Sequence, residues 1–352
     1  MLIVDAHEDV AVNAVYDKRD MRRSALETRA DEKNTPVAKH SGLCMVGLPE
    51  WLAGRVGVVF GTIFAPPAHP GESAVGRYTN AEEAYALGRV QLDYYHRFAS
   101  ESEQVCLVTN NAGLTSVLDS WEGAIPQVGI VVLMEGADPI RVPSEAERWY
   151  ESGVRLVGLS WGTGSRYAGG NERQFPLTDA GRELLSVMGD LGMVLDVSHL
   201  AEEAFYEAID RFEGVIIASH ANPRARVPGP RQLSDAMIRR LLDRDGVIGV
   251  IPYNRFLKPG WTKSDPKEAV VLDDLVGAVD HICQVVGDAA HVGIGSDFDG
   301  GFGAESAPEG LDTVADLPRI GEALADRGYS ENDVAAVMGE NWLRVLRNSL
   351  PD

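Results

Sequence analysis

The sequence predicts an α/β protein folded as a closed (β/α)8 barrel of the TIM type. The chain has 352 residues, 45% hydrophobic and 24% charged, which is an ordinary globular composition. Eight short apolar runs rich in Val and Ile alternate with longer stretches of helical period. The runs mostly lack strict polar alternation, which is typical of parallel strands buried on both faces. Eight such strands favour a closed barrel over an open sheet.

The predicted strands follow one another along the whole chain without an intervening linker. They lie at residues 2–6, 56–64, 128–134, 154–160, 193–198, 215–219, 247–253 and 291–296. Residues 106–110 predict a ninth, peripheral strand. Because no change in composition divides the chain into halves, we expect a single domain over residues 1–352.

Helices are predicted between the strands, and two segments are predicted as long loops. Asn80 and Thr178 are the expected N-caps of the first two predicted helices. The helices lie at residues 80–100, 177–192, 200–212, 233–246 and 272–287. Residues 17–45 are rich in charge and predict a loop or lid, and residues 162–177 are rich in Gly and Arg and predict a second loop.

The overall charge argues against binding to nucleic acid or to a membrane surface. Lys and Arg number 32 against 53 Asp and Glu, giving a formal net charge of −21, and such a surface repels phosphate groups. The three cysteines are far apart and predict no disulfide framework. Neither a signal peptide, nor a transmembrane span, nor a lipid anchor is indicated, so we expect a cytoplasmic protein.

Histidines or acids end five of the eight predicted strands. In a parallel barrel these strand ends converge on one mouth, which therefore predicts a metal site. His7 and Asp9 are two residues apart and would share one face of an extended strand. Asp5 shares that face and is expected to support the ligands rather than bind metal. The strand-end residues are His7, Asp9, Glu135, His199, His220 and Asp297.

Three histidines and two carboxylates exceed one tetrahedral zinc shell. They suit two metal ions about 3.5–4 Å apart that share a carboxylate and a water. Glu135 is the predicted bridge, because a glutamate can give one oxygen to each ion. His7 and Asp9 would complete one ligand set, and His199 and His220 the other. The same ligand types also accept Mn, Co or Fe.

Several motifs resemble the membrane dipeptidase (renal dipeptidase) family, metallopeptidases of the amidohydrolase superfamily. They are DAHED, LMEGAD, LDVSH, IIASHAN and GIGSDFDGG, in the family's order and spacing. LPEWLAGRVGVVFGTIF resembles the family's second strand and GENWLRVL its last helix, so the resemblance covers almost the whole chain. It implies a (β/α)8 barrel, two zinc ions and hydrolysis of dipeptides, often with a D-residue accepted on the C-terminal side. Homodimers are common in the family.

The resemblance also implies roles for individual residues. Asp297 matches the acid that accepts the proton of the bridging water and passes it to the leaving amine. Arg231 matches the arginine that binds the free carboxylate of the substrate, a task suited to its planar fork. Tyr253 matches a residue lining the substrate pocket. The residues that match the zinc ligands are His7, Asp9, Glu135, His199 and His220.

Trp161 departs from the family pattern. The family usually ends its fourth strand with a histidine that stabilises the developing oxyanion, whereas VGLSW places Trp161 there. Tryptophan cannot bind a metal, although its indole N–H can donate. Losing one oxyanion donor costs about 100–1000-fold in rate unless another group replaces it. Arg166 and Tyr167 are candidate replacements; alternatively, Trp161 is a wall for a bulkier substrate.

Three other functions stay open at this point. A related metal hydrolase would act on a different amide, a lactone or a tailored natural-product peptide, or would deaminate a nucleobase. Ser160 lies in GLSWG, which matches the G-x-S-x-G nucleophile elbow, but the residues that follow are a poor helix start. A non-catalytic relative would use the fold for binding alone.

Overall fold

The computed structural model describes residues 1–68 and 76–352, and these ranges form the predicted barrel. The apolar runs along the chain become parallel strands, and all but the peripheral β3 are buried along almost their whole length. The strands are β1 Ile3–Glu8, β2 Val56–Phe64, β3 Val105–Leu107, β4 Val128–Glu135, β5 Val154–Gly158, β6 Val194–Asp196, β7 Ile216–Ile217, β8 Ile248–Val250 and β9 Val292–Ile294.

Eight of the strands form a ring in the order β7-β6-β5-β4-β2-β1-β9-β8, with every pairing parallel. A single parallel bridge between Ala218 and Ile248 joins the two ends of this order. There the Ala218 N–H donates to the Val247 carbonyl at 3.0 Å, and the Gly249 N–H donates to the Ala218 carbonyl at 2.8 Å. Strand β3 pairs with β4 off this ring, as predicted for the peripheral strand.

Alternate residues of the strands pack into two separate cores. Val58 and Phe60 of β2 belong to a small core, where the Phe60 ring meets Trp342 edge-on at 5.5 Å between centroids. Val59 and Ile63 of the same strand belong to the larger core, which the surrounding helices cover. Burial on both faces explains why these strands lack polar alternation.

Helices surround the barrel, and the predicted caps are present. The side chains of Asn80 and Thr178 accept backbone N–H groups at the starts of their helices. None of the helices in the described ranges has the length and apolar character needed to cross a membrane. The α-helices are α1 Val10–Val12, α2 Ala25–Glu32, α3 Val37–His40, α4 Leu48–Ala53, α5 Ala81–Glu101, α6 Asn111–Ser120, α7 Ala146–Glu151, α8 Asp179–Leu191, α9 Glu202–Arg211, α10 Asp235–Leu242, α11 Asn254–Leu257, α12 Leu272–Val286, α13 Pro318–Arg327, α14 Glu331–Ala335 and α15 Asn341–Ser349.

The structure corrects the prediction of a long loop over residues 17–45, because α2 and α3 lie within it. Ser24 and Glu27 form a capping box that starts α2, a signal that the sequence contains. The buried Arg19 side chain binds both carboxylate oxygens of Glu32 at 2.9 and 3.0 Å. Ion pairs between buried charged side chains therefore stabilise this segment, which has few apolar residues.

The second predicted loop, residues 162–177, contains no helix or strand. It is held instead by isolated bridges, between Ala168 and Leu177 and between Gly170 and Leu200. Tight backbone packing accounts for its glycines, since a Cβ atom at Gly170 would lie 2.1 Å from the Trp161 carbonyl oxygen.

Candidate active site

The carboxyl ends of the strands bring the predicted metal ligands together around one oxygen atom. The Nε2 atoms of three histidines lie near Oε1 of Glu135, the last residue of β4: His199 at 3.0 Å, His220 at 3.4 Å and His7 at 3.7 Å. Asp297 follows β9, and its Oδ1 is 3.9 Å from His7 Nε2. Residues up to 290 positions apart in the chain thus face a common point.

Three sets of side chains each place their ligand atoms within 4.8 Å of one another. Two of these sets correspond to the predicted ligand sets, and they share Glu135. The third links the predicted proton acceptor to a histidine of each set. The sets are His7, Asp9 and Glu135; Glu135, His199 and His220; and His7, His220 and Asp297.

The chemistry of these donors fits bound metal. His7 Nε2 is buried and has no hydrogen-bond partner among the described residues. The His7 ring stacks on His220 with centroids 3.7 Å apart, and the Nε2 atoms of His199 and His220 are 2.9 Å apart. Imidazole nitrogens crowded against carboxylates form the donor set that zinc takes at about 2.0–2.2 Å.

The pKa values show how strongly these groups interact without a cation. Burial lowers the pKa of His7, but Glu135, Asp297 and Asp9 together outweigh it and raise that pKa to about 9. Burial and Glu135 together raise the pKa of Asp9 to about 7. Burial also raises the pKa of Asp297 well above its usual range. The site therefore retains protons that a divalent cation would displace.

Two polar side chains that the sequence analysis missed hold the ligands in place. Asn171 Oδ1 is 3.0 Å from His199 Nδ1, on the ring edge opposite the ligand nitrogen. The Thr62 hydroxyl donates to Asp9 Oδ1 at 2.5 Å. Such contacts orient ligands and fix the imidazole tautomer. Thr62 is the one hydroxyl residue in an otherwise apolar strand, which is a usable signal, whereas nothing in the sequence distinguishes Asn171.

Asp5 lies behind the ligands, in the supporting position that the sequence predicts. Its side chain is fully buried, and Oδ1 accepts the backbone N–H groups of Ser296 at 2.7 Å and His7 at 3.3 Å. These bonds join β1 to the segment that follows β9. They fix the backbone that carries His7.

The backbone around Asp297 is unusually tight. A Cβ atom at Gly300 would lie 2.1 Å from Asp297 Oδ1 and 2.8 Å from Asp9 Oδ2, so only glycine leaves room for both carboxylates. His199 and Asp297 themselves adopt φ values of 67° and 57°. Non-glycine residues rarely adopt this left-handed conformation, and it concentrates at functional sites.

A cavity of about 820 Å³ opens above the ligands and contains the predicted substrate-binding residues. The Arg231 side chain donates from Nη2 to the His220 carbonyl oxygen at 3.0 Å. Its Nη1 is buried and has no partner in the part of the chain that the structure describes. Tyr253 borders the same cavity and stacks on Phe302 with centroids 4.3 Å apart.

Trp161 also borders the cavity, with its ring centroid 5.4 Å from that of Phe64 and 6.0 Å from that of His199. The two candidate replacements for the family histidine are wrong. Arg166 is paired with Asp138 at 3.1 Å, and the buried Tyr167 donates its hydroxyl to a backbone carbonyl. Neither residue lines this cavity.

Ser160, the serine of the G-x-S-x-G match, does not form a nucleophile elbow. Its side chain is buried, and its hydroxyl donates to the Gly169 carbonyl oxygen at 3.0 Å. The hydroxyl proton is therefore held by the backbone rather than by a base, and no helix follows directly.

Comparisons with known proteins find a family that matches almost the whole chain. The family described as membrane dipeptidase (peptidase family M19) matches residues 1–350. An uncharacterised dipeptidase of Schizosaccharomyces pombe is 28% identical over 303 residues, which are 84% of this chain and 71% of the relative. The structure of an M19 metallopeptidase, dipeptidase AC, has a TM-score of 0.81 at 23% identity and covers 100% of this chain and 99% of its own.

A second similar structure is that of a metallopeptidase from Rhodobacter sphaeroides, liganded with a phosphinate mimic of the dipeptide L-Ala-D-Ala. Its TM-score is 0.78 at 23% identity, and the match covers 99% of each chain. At this identity the likeness concerns the fold.

Proposed function

This chain belongs to the membrane dipeptidase family, peptidase family M19, and is a metallo-dipeptidase; we propose that it uses two zinc ions to hydrolyse dipeptides, L,D-dipeptides among them. One observation carries the proposal: three imidazole Nε2 atoms lie 3.0–3.7 Å from a single oxygen of Glu135. A small dipeptide-like molecule is the proposed partner of the cavity.

The ligand residues divide into two sets around Glu135. His7 and Asp9 would hold one ion with Glu135, and His199 and His220 would hold the other. When bound, two such ions polarise the scissile carbonyl and activate a water as the nucleophile. Glu135 is suited to both sets because its Oε1 faces all three rings.

Asp297 is the residue placed to move the proton. Its carboxyl group lies beside His7 in the cavity, and burial raises its pKa well above the usual range. In its carboxylate form this side chain can take a proton from the attacking water and release it to the leaving amine. Both transfers use the same side chain.

Arg231 explains the restriction to short substrates. Its guanidinium is buried at the cavity wall and has an unpaired Nη1, which matches a carboxylate ligand. A free C-terminal carboxylate bound there would lie one residue from the scissile bond. Support for L,D-dipeptides comes from the R. sphaeroides relative, which was liganded with a mimic of L-Ala-D-Ala.

The second candidate function is hydrolysis of a different amide. Trp161 favours it, because an aromatic side chain borders the cavity where the family usually has a histidine. The same cavity would then accept a bulkier acyl group in place of a small amino-acid residue.

A substrate panel tests the proposal. Purified protein is assayed against L,L- and L,D-dipeptides and against the corresponding dipeptide amides, before and after chelation and zinc return. We expect two zinc ions per chain, hydrolysis of free dipeptides, at least 100-fold poorer hydrolysis of the amides, and loss of activity with chelator. A protein holding two zinc ions that cleaves none of the dipeptides would contradict the proposal.

A further inference from the structure

We infer that Ser219 is a positioning residue for both proposed metal ions: its hydroxyl, oriented by Asp196, accepts the Nδ1–H groups of His7 and His220 and thereby turns both Nε2 atoms toward Glu135. The inference rests on the proposed metal site and goes beyond it. It names a single hydroxyl that acts on one ligand from each set.

The contacts of Ser219 converge on its hydroxyl oxygen. Oγ is 2.8 Å from His220 Nδ1, 3.2 Å from His7 Nδ1 and 2.5 Å from Asp196 Oδ2. The Oγ atom of Ser198 is farther away, at 3.3 Å. Ser219 itself is fully buried, so water does not compete for these bonds.

The single hydroxyl proton decides the direction of every bond. A carboxylate can only accept, so the proton of Ser219 goes to Asp196, the nearest of its partners. The remaining lone pairs of Oγ then face the two ring nitrogens, which must be protonated to bond with them. A neutral imidazole protonated at Nδ1 presents its Nε2 lone pair, which is the ligand form.

The backbone holds Asp196 and Ser219 in this arrangement. Asp196 Oδ1 accepts the N–H groups of Ser198 at 3.0 Å and Ser219 at 2.9 Å, so this carboxylate cannot rotate freely. Gly249 and Gly295 pack against the carbonyl of Ser219, where a Cβ atom at either position would lie 1.9 Å away. The serine therefore has little room to adopt another position.

One consequence distinguishes this role from ordinary core packing. His7 and His220 belong to different proposed ligand sets, yet they share one hydrogen-bond acceptor. Without that acceptor, neither ring is held in the tautomer protonated at Nδ1. We therefore expect both metal sites to weaken together.

Two substitutions and a matched control test the inference. Ser219→Ala removes the shared acceptor. Asp196→Asn keeps the shape of the side chain. Its amide oxygen would accept the two backbone N–H groups, so its NH2 group must donate to Ser219 Oγ. The hydroxyl proton of Ser219 would then point to a ring nitrogen. Ser198→Ala removes a buried hydroxyl of the same cluster that contacts neither ring.

Zinc affinity and the imidazole tautomer are both measured. In chelator competition, Ser219→Ala and Asp196→Asn should bind both zinc ions about 10–100-fold more weakly, the usual effect of losing such support. Ser198→Ala should stay within about threefold of wild type. Long-range 1H–15N NMR of the metal-free protein should show His220 protonated at Nδ1 in wild type and at Nε2 in Asp196→Asn.

Three results would overturn the inference: wild-type His220 protonated at Nε2, unchanged zinc affinity in Ser219→Ala and Asp196→Asn, or an equal loss in Ser198→Ala. The failure of the proposed function looks different. A wild-type protein that binds fewer than two zinc ions contradicts the function, and the His220 tautomer in the metal-free protein still decides the role of Ser219.

Discussion

Two buried polar atoms without partners lie at the proposed site. His7 Nε2 and Arg231 Nη1 are both buried and unpaired among the described residues; His7 Nε2 lies 3.7 Å from Glu135 Oε1, and Arg231 lines the cavity. Leaving a buried donor unpaired costs about 1–3 kcal/mol, more for charged groups. A binding site offsets that cost when the substrate or metal arrives.

Replacing Arg231 should affect substrates with a free carboxylate much more than substrates without one. We expect Arg231→Met to lower kcat/KM for free dipeptides at least 100-fold, mainly through KM, because the proposed charge-assisted contact to the carboxylate would be lost. Hydrolysis of dipeptide amides should change much less. Steady-state kinetics on both substrate types measures this. An equal loss on both would show instead that Arg231 acts through its bond to the His220 carbonyl.

Two substitutions distinguish whether Trp161 only lines the cavity or donates a hydrogen bond from its indole N–H. Because its ring packs near Phe64 and His199, we expect Trp161→Phe to keep kcat/KM within about tenfold, since it retains an aromatic ring but lacks the N–H. Trp161→Ala should lose more. A loss of 100–1000-fold in Trp161→Phe would identify the indole N–H as the oxyanion donor.

The segment over residues 17–45 shows how one element supports the site from outside the barrel. Arg19 pairs with Glu32 of α2 and, at 3.2 Å, with Asp299, two residues beyond Asp297. The amide of Asn13 donates to the carbonyl oxygens of Asp9 at 2.7 Å and Asp299 at 2.9 Å. This network links α2 to the backbone of two site segments.

Removing the Arg19 guanidinium should destabilise the whole fold. We expect Arg19→Met to lower the free energy of unfolding by about 3–5 kcal/mol, because two buried carboxylates lose their counter-charge. Urea denaturation followed by circular dichroism measures the change. Arg22→Met is the matched control, since Arg22 is 54% exposed and should change stability by about 0.5 kcal/mol or less. Equal effects of the two substitutions would contradict the structural role of Arg19.

Helices and strands were predictable from the sequence where the local pattern of apolar residues determines their bounds. Strand β2 has the predicted bounds, 56–64, because both of its faces are buried and the apolar run ends with the strand. The apolar run over 247–253 predicted too long a strand, since β8 ends at Val250 and the chain then turns toward the cavity at Tyr253. The order of residues 17–45 depends on the Arg19–Asp299 contact, across 280 positions, which no local pattern contains.

At the scale of the molecule, the barrel explains why the clustering of the candidate ligands was predictable and the contacts of Thr62 and Asn171 were not. Metal-binding residue types at strand ends must meet at one mouth, so the fold alone brings His7, Glu135 and His220 together. Thr62 and Asn171 act through contacts that depend on packing between distant segments. Thr62 stands out only as the one hydroxyl residue of an apolar strand, and nothing in the sequence distinguishes Asn171, so neither partner could be predicted.

Metal binding should stabilise the barrel as a whole. The proposed ligands lie on or just after β1, β4, β6 and β7, so two bound ions would join strands on both sides of the ring near the single Ala218–Ile248 bridge. Free zinc at 100 times Kd stabilises the folded state by about 2.7 kcal/mol per site. For a chain of 352 residues, 1 kcal/mol shifts the midpoint by roughly 1–2 °C, so chelation should lower the thermal midpoint by about 3–5 °C for each ion lost.

Differential scanning calorimetry with zinc and with excess chelator measures this shift, and Glu135→Gln provides the control. Because Glu135 faces all three imidazoles, its replacement weakens both ligand sets at once. The midpoint of this variant should therefore respond to zinc by less than about 2 °C while wild type shows the full shift. An equal zinc response in the two proteins would mean that the stabilising ions bind elsewhere, and the strand-end cluster would lose its role as the metal centre.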